Sequence, residues 1–126
     1  MKIEVSNGEL LDKFSILKIK LEKIKDEFKL INIKNEIDTI SKNCEEIIQS
    51  DLRLSVIFNE LISVNESLWD IEDKIRIKEK EKEFDSEFIE LARSVYITND
   101  TRFILKNKIN IITLSKLVEE KSYEKY

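Results

Sequence analysis

Residues 88–112 read FIELARSVYITNDTRFILKNKINII, and their apolar side chains return at alternating three- and four-residue steps. The row runs Phe88, Leu91, Val95, Thr98, Arg102, Leu105, Ile109, Ile112. Such spacing keeps one stripe of a long helix turned toward a partner. Three stretches upstream repeat the rhythm. They are Leu10, Phe14, Leu17, Leu21, Ile24, then Ile33, Ile37, Ile40, Cys44, Ile47, then Leu54, Ile57, Leu61, Val64, Leu68, Ile71, Ile75. The pattern predicts an all-α fold, a helical bundle of about four long helices with the heptad-like seams of a coiled coil.

Composition points the same way. The chain has 126 residues with one Gly and no Pro, so the turn punctuation of barrels and sandwiches is missing. Hydrophobic content of 41% argues against disorder despite 38% charged residues. Residues 1–126 are expected to form one helical-bundle domain, with an extended arm at 1–5 and a polar tail at 119–126. The 26 acids and 22 bases are interspersed and leave a net charge of −4, which argues against an extended nucleic-acid partner. The single cysteine, Cys44, cannot form an internal disulfide and suits a reducing compartment. No apolar run reaches membrane-spanning length, and Met1 leads directly into Lys2 and Glu4. The expectation is a cytoplasmic protein without a membrane span.

Ser6 and Glu9 match a capping box, with Val5 and Leu10 at the positions of a hydrophobic staple, so helix one starts at Ser6. Besides its seam it carries a second apolar patch, Leu11, Ile16 and Ile19. A helix apolar on two sides is buried between neighbours or meets another subunit, and the expectation is a homo-oligomer, a dimer through this helix. A break is placed at Lys25–Lys29, the alternative being a seam that runs on through Phe28 and Ile31. Cys44 is read as a core position. Ser50 or Asp51 caps the third helix, and Asp85 or Ser86 the fourth. The charge run Lys78–Glu83 reads as a solvated helix end, and Leu117 and Val118 are expected to dock the tail.

Arg102 interrupts the fourth seam. An inward guanidinium cannot shed its proton, so a buried carboxylate must meet it, and Glu72 and Asp12 are the candidates. Asn65, Trp69, Glu72 and Arg76 share one side of helix three. Helix four offers Arg93, Tyr96, Asn99, Asp100 and Arg102 within about three turns. These residues (Asn65, Trp69, Glu72, Arg76, Arg93, Tyr96, Asn99 and Arg102) form a candidate binding cluster. One reading is a pocket for a small anion or sugar, with arginines as clamps and Trp69 or Tyr96 as a stacking wall. The favoured reading is a buried ion-pair layer that fixes helix register. Asp70 with Asp73, and Glu87 with Glu90, sit one turn apart and would suit magnesium. Yet acids are so abundant that such pairs arise by chance, and with no histidine a catalytic zinc site is not expected. No catalytic residue, metal ligand or cofactor is assigned, and the balance is against an enzyme.

Four segments look familiar together: IEVSNGELLDKFSILKIKLEKI at 3–24, VNESLWDIEDKIR at 64–76, FIELARSVYITNDTR at 88–102 and LVEEKSY at 117–123. The chain resembles a family of small bacterial proteins catalogued as a domain of unknown function. Some members are associated with glycosyltransferase or surface-polysaccharide genes. Relatives often carry a proline near the position of Glu27 or Phe28, which this chain lacks. The resemblance implies one compact domain and no established activity. It suggests an interaction or accessory protein, linked to envelope-glycan synthesis and acting with a protein partner.

Overall fold

The four periodic stretches fold as four α-helices in the computed structural model, which describes residues 1–126. They are α1 (Asn7–Lys23), α2 (Glu27–Gln49), α3 (Leu52–Glu81) and α4 (Ser86–Ile112). Each start carries a side-chain oxygen that satisfies an orphan amide. Ser6 Oγ accepts from the Glu9 N–H at 3.1 Å. Asp26 accepts from Lys29, Asp51 from Arg53 and Asp85 from Phe88 at 3.0, 2.9 and 2.9 Å. The capping box at Ser6 is only half formed, because Glu9 turns its carboxylate toward Lys106, 3.7 Å away. Val5 stays 44% exposed, so no buried staple closes this end.

The break after α1 needs no proline. Ile24 is extended at φ −82, ψ 133, and Asp26 then starts a new helix. Phe28 and Ile31, which a continuous seam would bury, are 82% and 56% exposed. Between α3 and α4 the charge run does more than solvate a helix end. Lys78 Nζ, with its side chain 13% exposed, gathers Glu83 at 3.2 Å, Asp85 at 2.9 Å and Glu87 at 3.2 Å. One ammonium thereby ties the end of α3 to the start of α4.

Helix α1 packs against α2, α3 and α4, whereas α2 touches α1 and α3 and makes no contact with α4. This central placement accounts for both apolar sides of α1. Phe14 and Leu17 of the seam and Leu11 and Ile19 of the second patch are all buried within the chain. The reason for placing a subunit contact on α1 is thereby removed. The core gathers where α1 and α3 begin and α2 and α4 end, around Leu11, Phe14, Cys44, Leu54, Phe58, Leu61, Leu105 and Ile109. Phe14 meets Phe58 edge-on at 5.5 Å between ring centres. Farther out, Leu68, Ile71, Ile75, Leu91 and Val95 are only half-buried, so the α3–α4 hairpin runs beyond the full bundle.

The tail is held by charge and not by Leu117 and Val118, which are 41% and 50% exposed. Glu119 lies 2.7 Å from Lys106, Lys121 lies 2.6 Å from Asp100, and the Tyr126 hydroxyl donates to Asp100 at 2.6 Å. No helix is long and apolar enough to cross a membrane.

Candidate functional site

Arg102 lies in the inward row of α4 and Asp12 in the second turn of α1, where its side chain is 5% exposed. The two meet as a bidentate pair. Arg102 Nε donates to Asp12 Oδ1 at 2.9 Å and Nη2 to Oδ2 at 2.5 Å. Asn65 adds its amide N–H groups, one to Asp12 Oδ1 at 3.0 Å and one to Ser15 Oγ at 2.7 Å. The Ser15 hydroxyl donates in turn to the Asp12 backbone carbonyl at 2.6 Å. The Asp12 hydrogen bonds hold the Arg102 guanidinium above its usual range, against burial, which pushes the other way. Of the two carboxylates proposed for Arg102, the structure selects Asp12. Glu72 pairs instead with Arg76, one turn along α3 at 3.3 Å.

Beside this layer, α1, α3 and α4 enclose an open cleft of about 360 Å³. Ile16 and Ile19 come from α1, Asn65, Leu68, Trp69, Glu72 and Asp73 from α3, and Asn99 and Arg102 from α4. Asn65, Trp69, Glu72, Asn99 and Arg102 of the predicted cluster therefore converge. Arg76, Arg93 and Tyr96 do not. Arg76 points outward, 77% exposed, and Arg93 pairs with Glu90 at 3.0 Å. Tyr96 packs edge-on against Tyr126 at 5.3 Å. The physical reason is angular: nine residues separate Arg93 from Arg102, two and a half turns, which sets them on opposite sides of α4. Nearness along a helix is not nearness around it.

The cleft's electrostatics differ from those of an anion site. Asp12 neutralises Arg102, and Glu72 and Asp73 add negative charge at the rim. The Asn65 carbonyl oxygen accepts no bond while both its N–H groups are committed inward, so the oxygen is left free at the cleft. No group of three or more His, Cys, Asp and Glu side chains could hold a metal ion. Of the acid pairs weighed for magnesium, Glu87 faces Lys78 and Glu90 faces Arg93.

Sequence reasoning offered Asp12 alongside Glu72 as the partner of Arg102 but missed Ser15 and Leu68 as neighbours of the site. It also missed a second polar layer at the other end of α1. There the Gly8 N–H donates to Asn110 Oδ1 at 2.7 Å and the Asn7 N–H to Ser115 Oγ at 3.1 Å. The Asn7 side chain donates to Thr113 Oγ1 at 2.9 Å. The helix N-terminus is thus closed by the end of α4 and offers no anion cradle. A further space, of about 1340 Å³, lies between the tail and α4, where Tyr96, Phe103, Tyr123 and Tyr126 face Lys106 and Lys121.

No curated protein and no solved structure is significantly similar to the chain. A family model does match it, and over its whole length. With residues 1–126 matched, the chain belongs to a family of unknown function, DUF6165.

Proposed function

We propose that this protein is a small helical-bundle accessory module that binds an uncharged polyol, such as a sugar unit, in the cleft beside Trp69. The observation that carries this reading is the state of the cleft's polar groups. Arg102 is committed to Asp12 and Glu72 is held by Arg76, while the Asn65 carbonyl and the Asp73 carboxylate are left at the opening. An anion would meet no free positive charge there and two acids at the rim. A sugar would lay its C–H face on the indole and offer hydroxyl donors to these acceptors. A volume of about 360 Å³ sits at the small end of ligand pockets, which run from about 300 to 1,000 Å³. An accessory role in envelope-glycan synthesis accords with such a ligand, and a cytoplasmic place with the unpaired, buried Cys44.

The single tryptophan makes the test direct, since all indole emission comes from Trp69. Neutral mono- to hexasaccharides are first screened on an array, and those retained are titrated in solution. At least one should shift the emission, and Trp69→Ala should abolish its binding while the helical signal and melting midpoint hold. Failure of every neutral saccharide to shift the emission at millimolar concentration overturns the proposal.

A further inference from the structure

The tail is seated on α4 by side chains alone. Past Ser115 its backbone makes no hydrogen bond to the backbone of the helices. Three of its side chains meet α4 in reverse order. Glu119 reaches Lys106, Lys121 reaches Asp100, and Tyr126 meets both Asp100 and the Tyr96 ring. The groove so read runs from Lys106 back to Tyr96, roughly 15 Å of helix. Lys106 is its fixed point. That side chain is 9% exposed, and besides Glu119 it has only Glu9, at 3.7 Å. A buried ammonium calls for a carboxylate, so a desolvated acid is part of what the groove recognises. The remaining hold is loose. Tyr123 and Tyr126 are largely exposed, and about 1340 Å³ stays open between tail and helix. Partly exposed ion pairs are weak and screened by salt. The tail can therefore leave without unfolding a helix.

We propose that this groove is a docking site for an extended acidic peptide of a partner protein, and that the chain's own tail occupies it in cis. The tail displays the chemistry that the partner must match: an acid for Lys106, then a lysine for Asp100, then a tyrosine for the Tyr96 ring. Recognition spread over roughly 15 Å suits an extended segment and exceeds the reach of one small anion. A short tether holds the tail near its groove at an effective concentration in the millimolar range, so the tail of another copy competes poorly. A partner segment that fits the groove better than the tail does can displace it. The surface is separate from the cleft beside Trp69 and shares only Asn99 and Arg102 with it.

The test titrates the isotope-labelled full chain with a synthetic peptide of residues 117–126, read by amide NMR shifts. In the wild type the cis tail competes with the peptide. Combining Glu119→Gln, Lys121→Gln and Tyr126→Phe frees the tail and leaves the α4 side of the groove intact. The peptide should bind this variant roughly tenfold tighter, the factor by which a tail docked about nine-tenths of the time lowers apparent affinity. Its shifts should fall along residues 95–106. Lys121→Gln with Tyr126→Phe, which keeps the Lys106 pair, should gain less in the same direction. A peptide carrying the same three changes should not bind, and adding Asp100→Asn to the freed variant should weaken binding of the natural peptide. Equal affinity for the wild type and the freed variant, shifts that map elsewhere, or no binding at millimolar peptide would each overturn the proposal. So would a wild-type dimer held by exchanged tails in sedimentation, which would make the occupant a second copy.

Discussion

The Asp12 carboxylate accepts three hydrogen bonds, two from Arg102 and one from Asn65, where its side chain is 5% exposed. Removing the guanidinium leaves that charge buried with one donor, which is the expensive way to break such a pair. Arg102→Met is therefore expected to destabilise the fold by about 3 kcal/mol, the low end for buried pairs because Arg102 itself keeps some contact with solvent. Adding Asp12→Asn should recover most of the loss in urea denaturation, and equal midpoints for the single and double variants would show that the pair is not coupled. Cys44 is a second residue whose behaviour follows from burial. Burial first, and the nearby Glu45 charge second, push its thiol up from 9.0 to about 11. The folded state then holds a proton that the unfolded chain releases, so this contribution to stability is fully present below pH 9.0 and lost as pH rises through about 11. Denaturation midpoints should fall over that window in the wild type and less in Cys44→Ala. A thiol reagent at pH 8 should label the native protein only through unfolding.

At the scale of the element, α1 is organised around its one glycine. A Cβ at Gly8 would clash with the Lys106 carbonyl oxygen of α4 and come within 2.9 Å of its carbon. Both atoms are backbone and have no rotamer through which to give way. Alanine is the better helix former by about 1 kcal/mol, but forced overpacking costs about 1–3 kcal/mol, and here it also threatens the Gly8–Asn110 hydrogen bond. Gly8→Ala is thus expected to destabilise by about 2 kcal/mol, read as a lower urea midpoint. A variant as stable as the wild type would mean that α1 can lift off α4 without cost. The same close approach carries α1 into the middle of the bundle, where one helix needs apolar residues on more than one side. The tail obeys a different rule. With Leu117 and Val118 outside the core, it is held mainly by Glu119, Lys121 and Tyr126.

Across the whole molecule, legibility in the sequence tracked the range of the interaction. The seams predicted four helices because their periodicity repeats within two turns. The caps at Ser6, Asp51 and Asp85 were readable because a cap bonds an amide two or three residues away. Arg102 was readable as an inward charge from its place in the row, and the need for a carboxylate followed from desolvation alone. Choosing Asp12 over Glu72 required the packing of α1 against α4, ninety residues apart along the chain. The cleft was half legible. Asn65, Trp69 and Glu72 share one side of α3, whereas Arg93, grouped with Arg102 by height along α4, faces elsewhere, and Tyr96 joins Asn99 and Arg102 only in the separate space under the tail. The two apolar sides of α1 suggested a subunit contact and turned out to mark the middle of the bundle. By itself the sequence determined how many helices form, where they begin and which side chains of each seek cover, since these depend on neighbours within a turn or two. Only the tertiary structure decided which helix supplies that cover, which carboxylate meets Arg102 and where a cleft stays open, because those contacts join residues that periodicity cannot relate.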